Sequence, residues 1–322
     1  VRIWDTPLVL FRDSQGQART LLDRCAHRNV PLSEGTCIDG LIQCAYHGWR
    51  FDSEGSCKEV PALRGRQEAK ARNVPAFLTQ EEQGFIWVYT HRGTRPNHTP
   101  FEFPCMNDSS YTTVSYKADF EATLHATAEN ILDVPHTAFL HKGLFRGGQP
   151  NSIDTVVRRY SDRVECQYIG EPVPSGIMAK LLAPGAGEVE HFDRFILPSV
   201  AQVEYRLGEK AHIVTTSCLT PISDFVTRMH AVVAIRLNRW IPGLRQVVTP
   251  FALKVIRQDI RILKMQTDSV REFGGEQYSS TGVDLLGPSI LRLLKRAAGE
   301  ACVVSKDAQG EPRLVSEGKL LA

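Results

Sequence analysis

From Val1 to about residue 95, apolar positions come in short runs separated by turn residues, the pattern of strands joined by tight loops. Residues 7–12 are largely apolar, Asp13-Ser14-Gln15-Gly16 is a turn, and residues 19–23 return as a second strand. Asp39-Gly40, set between Cys37-Ile38 and Leu41-Ile42, is a two-residue hairpin signal. Residues 84–89, Gly-Phe-Ile-Trp-Val-Tyr, read as a buried closing strand. Residues 92–104 gather Gly93, Pro96, Pro100 and Pro104 among polar side chains, which marks a linker and a domain boundary near residue 98.

Beyond the linker the period changes. Residues 111–116 read as a strand and 119 to about 141 as helical. Several strand-like runs follow between 153 and about 236, among them 189–197, 200–207 and 231–237. A long helical pattern then occupies about 249–273. The expected fold class is α+β: an all-β domain over 1–98, then a domain over 99–322 in which helices cover one face of an antiparallel sheet.

Bulk properties narrow the function. A length of 322 residues suits about two domains at roughly 150 residues each, and 42% hydrophobic residues suffice for two cores. The net charge of +2, with Lys and Arg scattered, gives no nucleic-acid or membrane-surface footprint. No apolar run approaches ~18 residues, so no membrane span is expected. Eight Cys without a regular framework argue against a disulfide scaffold and for a reducing, cytoplasmic compartment. The chain begins at Val1 rather than Met, which leaves open a preceding segment.

Candidate chemistry lies in two places. Cys25-Ala26-His27 and Cys44-Ala45-Tyr46-His47-Gly48-Trp49 give C-x-H, sixteen residues, C-x-x-H. Two mixed Cys/His pairs, each at a loop tip, suit a 2Fe–2S centre in which two His replace two Cys on one iron. Zinc also accepts two Cys and two His, but its fingers usually pair like with like.

The second place is Glu129-Asn130-Ile131-Leu132-Asp133-Val134-Pro135-His136-Thr137-Ala138-Phe139-Leu140-His141. Positions five apart diverge by about 140° on a helix, so His136 and His141 share a metal only if the helix bends. Pro135 favours that bend. Asp133 shares a face with His136 and can orient it, or simply mark a helix end. Two His and one carboxylate, with positions left open, suit non-heme Fe(II) and O₂. Asp259 is the expected carboxylate, because Ala252, Val255, Ile256, Leu263, Gln266 and Val270 share its helical face. Pairing of Asp259 with Arg257 or Arg261 is the alternative, and Asp268 sits among Arg257, Arg261 and Lys264 on a solvated face. Asn130 either approaches the metal or braces the helix, and His125 has no identifiable partner.

Together these motifs resemble the oxygenase component of Rieske-type non-heme iron oxygenases, in its α-only branch of aromatic-ring hydroxylases and demethylases. The resemblance spans essentially the whole chain, with Arg257-Gln258-Asp259 similar to the family's late acidic segment. It implies a Rieske β-sandwich joined to a helix-grip catalytic domain. Cys25 and Cys44 would bind the inner iron of the cluster, His27 and His47 the outer one. His136, His141 and Asp259 would hold the mononuclear iron, with Asp133 linking a cluster histidine to an iron histidine of a neighbouring subunit, usually in a homotrimer. The implied reaction uses O₂ and electrons from a ferredoxin or flavin reductase fed by NAD(P)H, and it oxidises an apolar aromatic or polycyclic small molecule by hydroxylation or demethylation. Cis-dihydroxylation and desaturation share these ligands. An electron-transfer protein with an inert second domain, or a zinc module, would lack O₂ chemistry.

Overall fold

A computed structural model of the chain describes residues 1–65, 69–91, 96, 99–144, 152–172, 189–208, 211–237 and 241–299, and the backbone of 313–321. Contacts divide it into two compact units, Val1–Glu102 and Phe103–Ala322. Part of the expected linker, residues 92–95 and 97–98, lies outside the described residues, as does Cys302.

Among its described residues, the first unit is all-β apart from short 3₁₀ turns at Leu32–Glu34 and Lys70–Arg72. Its strands are β1 (Arg2–Ile3), β2 (Thr6–Arg12), β3 (Ala18–Leu22), β4 (Thr36–Ile38), β5 (Leu41–Gln43), β6 (Arg50–Phe51), β7 (Cys57–Glu59), β8 (Ala76–Glu82) and β9 (Phe85–Tyr89). They form one sheet in the order β1-β2-β3-β8-β9 and a second in the order β4-β5-β6-β7. Leu21, Leu32 and Phe51 are fully buried in the core of this unit, which also holds Cys25 and Cys44. The β4–β5 hairpin turns at Asp39 (φ 52°) and Gly40 (φ 77°), both left-handed as the two-residue turn requires. A Cβ on Gly40 would lie 2.1 Å from the Ser14 amide nitrogen, so only glycine fits. One expectation needs correcting. β9 closes its sheet as an edge strand, and its residues are half-buried or exposed rather than buried, because only β8 pairs with it.

The second unit contains β10 (Thr112–Phe120), α1 (Leu124–Leu132), α2 (His136–Phe139), β11 (Ser152–Arg159), β12 (Arg163–Ile169), β13 (Val189–Ile196), β14 (Val200–Leu207), β15 (Ala211–Ser223), β16 (Val226–Arg236), α3 (Leu244–Glu272), α4 (Gly287–Ala297) and β17 (Arg313–Leu321). Its antiparallel sheet runs β10-β16-β15-β14-β13-β12-β11-β17. The core lies between one face of this sheet and α1, α3 and α4, with Phe120, Phe195, Leu219 and Ile290 at its centre. This is the expected α+β arrangement. Among the described residues no helix is long and apolar enough to cross a membrane.

Three helix boundaries differ from the sequence reading. Residues 119–120 finish β10, held in register to Arg228 and Thr227 of β16, so no helix starts there. α1 begins only at Leu124, where the Thr123 hydroxyl accepts from the Ala126 amide at 3.1 Å. The expected bend near Pro135 is a full break, with Asp133 extended (φ −92°, ψ 109°) between α1 and α2. Val134, next to proline, is biased away from helix as well. α3 starts at Leu244 rather than near residue 249 and carries Pro250 inside it.

Candidate metal centres and the cavity beside them

Two loops of the first unit present the Cys/His pairs with matching backbone geometry. Cys25 N donates to Val30 O at 2.9 Å, and Asn29 N donates to Cys25 O at 3.0 Å. Cys44 N donates to Trp49 O at 2.8 Å, and Gly48 N donates to Cys44 O at 3.1 Å. Asn29 (φ 62°) and Gly48 (φ 71°) occupy the equivalent left-handed position. Two loops of one shape thus offer one Cys and one His each.

The four side chains converge. The His27 and His47 rings lie 4.5 Å apart, and Trp49 stacks flat on His27 at 4.7 Å. Cys25 and Cys44 are buried, whereas His47 is exposed. Burial, with Cys44 alongside, pushes the Cys25 thiol up to about 11. Cys25 therefore stays a thiol at neutral pH unless a cation compensates its charge. Burial, and then the charges of His47 and Arg28, lower the His27 pKa and favour the neutral ring that ligates metals. His27 Nδ1 is buried without a hydrogen-bond partner. Two cysteines and two histidines, one ring with an orphaned nitrogen, fit a histidine-ligated 2Fe–2S cluster.

The second unit brings His136, His141 and Asp259 together, their ligand atoms all within 4.8 Å of one another. His136 Nε2 and His141 Nε2 are 3.2 Å apart, and Asp259 Oδ1 is 3.0 Å from His141 Nε2 and 3.7 Å from His136 Nε2. The break at Asp133 makes this possible, because a continuous helix would point the two rings apart. Asp259 reaches in from α3, where the stripe of Ala252, Val255, Ile256, Leu263, Gln266 and Val270 is buried or half-buried. Arg257 and Arg261 are exposed, and Asp268 pairs with Lys264 at 3.1 Å.

Hydrogen bonding favours one tautomer of each ring. His141 Nδ1 donates to Gln258 Oε1 at 2.9 Å, and His136 Nδ1 donates to the Asp133 carbonyl. Both acceptors lack protons, so each Nδ1 carries a hydrogen, and in the neutral, metal-binding form of each ring Nε2 holds the lone pair. Two lone pairs and the buried, unpartnered Asp259 Oδ1 then face one point. Such a set repels itself unless a proton or a metal ion enters. Burial opposes a proton on His141, yet Asp259 and Gln258 outweigh it and raise its pKa. The donor set fits a two-His, one-carboxylate iron site.

Asp133 Oδ2 accepts from the His136 amide at 3.0 Å and lies 3.3 Å from His136 Nδ1. Asn130 Oδ1 is buried without a partner, and Asn130 lines a cavity of ≈ 340 Å³ with the three ligand candidates. Phe120, Val233, Phe251 and Ile256 give that cavity an apolar wall. His125 sits away from the metal site, with Nε2 2.8 Å from Gly287 O, which ties α1 to α4.

The profile of the Rieske [2Fe-2S] domain matches residues 1–77, and that of the vanillate O-demethylase oxygenase C-terminal domain matches residues 120–300. The chain belongs to the Rieske-type non-heme iron oxygenases. Among curated relatives of this Rieske-type chain, the oxygenase component of dicamba O-demethylase from Stenotrophomonas maltophilia is 32% identical over 56% of this chain and 53% of its own length. Protein TIC 55 of Pisum sativum is 36% identical over 44% of this chain and 26% of its own. The matched part of the chain thus spans about half or less of these relatives. Pseudomonas putida NdmA with caffeine superposes with a TM-score of 0.78 at 22% identity, covering 98% of this chain and 90% of that one. Dicamba monooxygenase bound to 3,6-dichlorosalicylic acid gives 0.76 at 23%, covering 92% and 91%. At these identities the likeness concerns the fold.

Two features of this Rieske-type chain escape sequence reasoning. Gln258 fixes the His141 tautomer, and only its place beside Asp259 hints at that. Glu171, His191 and Asp193 also line the cavity. His191-Phe192-Asp193 on a strand does carry a signal, since residues two apart face the same way.

Proposed function

We propose that this chain is the terminal oxygenase component of a Rieske system that monooxygenates small aromatic molecules, with oxidative demethylation as the reaction. The observation that carries this reading is the facing pair of Nε2 lone pairs at 3.2 Å, closed by Asp259. The reaction type draws support from relatives called dicamba O-demethylase and methylxanthine N1-demethylase.

When bound, the cluster supplies single electrons from a ferredoxin or flavin reductase, and the mononuclear iron supplies dioxygen activation. The chain's own residues do the rest. Cys25, His27, Cys44 and His47 hold the cluster, with the His47 edge open to a redox partner. His136, His141 and Asp259 hold the iron. Gln258 and the Asp133 carbonyl keep each Nδ1 protonated, so that each Nε2 stays available. The half-buried Asp133 carboxylate braces His136 and would connect it with the His47 edge of another copy in a homotrimer. The apolar cavity binds the substrate body and excludes water.

Purified protein reconstituted anaerobically should hold three irons per chain, show the visible spectrum of an oxidised cluster, and consume O₂ with a surrogate reductase and a methoxylated or N-methylated aromatic compound. Two irons per chain and no O₂ uptake across such a panel would leave only an electron-transfer protein. A colourless zinc protein would remove the reading altogether.

A further inference from the structure

His191 is the centre of a buried charged cluster that the metal site does not use. In the strand register it lies between Tyr168 on β12 and Tyr205 on β14. Its ring is stacked between theirs, at 4.3 Å from Tyr168 and 3.9 Å from Tyr205. That sandwich fixes the plane of the imidazole. In that plane, Nδ1 donates to Glu171 Oε2 at 2.6 Å and Nε2 donates to Asp193 Oδ1 at 3.0 Å. His191 and Asp193 are 1% exposed and Glu171 6%. Burial alone would lower the His191 pKa, but the two carboxylates outweigh it and raise it to about 9. The ring is therefore an imidazolium at neutral pH, with both N–H groups already engaged.

The cluster consequently has no donor of its own to offer a ligand. What it can present is carboxylate oxygen, which only accepts. All three residues line the cavity that also holds His136, His141 and Asp259. Two carboxylates outnumber the one imidazolium between them, so an anionic substituent placed there is repelled in a medium that screens poorly. A hydroxyl or ammonium placed there makes a charge-assisted hydrogen bond.

We propose that Glu171, His191 and Asp193 form an acceptor-only anchor in the substrate cavity, which selects aromatic substrates bearing a hydrogen-bond donor, a hydroxyl or a protonated amine, and rejects carboxylates. This rests on the oxygenase reading only in treating the cavity as the substrate site.

Two probes with the same ring and methyl ether test it. Dissociation constants of 4-methoxybenzylamine and 4-methoxybenzoate are measured by calorimetry on the cluster- and iron-loaded protein, and O₂ uptake is followed separately. The amine should bind at least about tenfold more tightly. In Glu171→Gln/Asp193→Asn that ratio should fall to within about threefold, with an unchanged cluster spectrum and a cooperative melt as evidence of folding. The wild-type ratio decides the sign without any variant. Equal or tighter binding of the carboxylate overturns the inference, as does failure of the amine to bind. An undiminished preference in the folded double variant also overturns it. Discrimination without O₂ uptake leaves the anchor standing and removes the oxygenase.

Discussion

Replacing Gln258 by leucine should weaken the iron site without touching a ligand. Gln258 Oε1 is the acceptor 2.9 Å from His141 Nδ1, and His141 is 1% exposed. Leucine removes the acceptor and leaves that N–H buried without a partner, a cost of about 1–3 kcal/mol. The ring has an escape: its proton moves to Nε2, where Asp259 Oδ1 waits at 3.0 Å. A proton there occupies the lone pair that iron needs. Binding must then return the proton to an unpartnered nitrogen, so the penalty passes into metal affinity. Loss of such an outer partner typically weakens binding 10–100-fold, or about 1.4–2.7 kcal/mol. Gln258→Glu keeps an acceptor and should stay near wild type. Anaerobic chelator competition for ferrous iron measures both, with cluster absorbance as the control for folding. Affinity within threefold of wild type in a folded Gln258→Leu protein would refute the tautomer argument.

Asp259→Ala should lose the mononuclear iron and keep the cluster, as read by metal analysis; full iron retention would point to another carboxylate. Asp133→Asn should keep both metals yet lose most turnover, and normal coupled turnover would remove its connecting role. Cys44→Ser should abolish the visible spectrum of the cluster and leave the second unit's cooperative melt in place. The His191 pKa of about 9 lies above the ~6.5 of an unfolded histidine, so its contribution to stability is complete below pH ~6.5 and is lost as pH rises through about 9. Thermal melts between those limits should fall in wild type and flatten in His191→Gln.

Local chemistry made much of this chain legible. Asp39-Gly40 announced its hairpin because only residues tolerant of positive φ can turn there, and the ligand spacing followed from loop tips. The helical stripe around Asp259 was readable because seven positions keep one phase on α3. Elsewhere local signals misled. Residues 119–120 lie beyond the alternating pattern's obvious end, yet pairing to β16 keeps them in the strand. The first helical turn of α3, from Leu244, lies ahead of the helical pattern that begins near residue 249. α4 went unread because its packing against α1 is a tertiary matter. Gln258 meets His141 across 117 positions, and Glu171 meets His191 across 20. Contacts of that range leave no periodic trace in sequence.

The break at Asp133 places both imidazoles on one short stretch of chain, while the carboxylate arrives more than a hundred residues later on α3. During synthesis the histidine pair therefore precedes the residue that closes the triangle. A complete donor set would exist only once the long helix has been made and has settled against the sheet, so metal affinity would report the docking of α3.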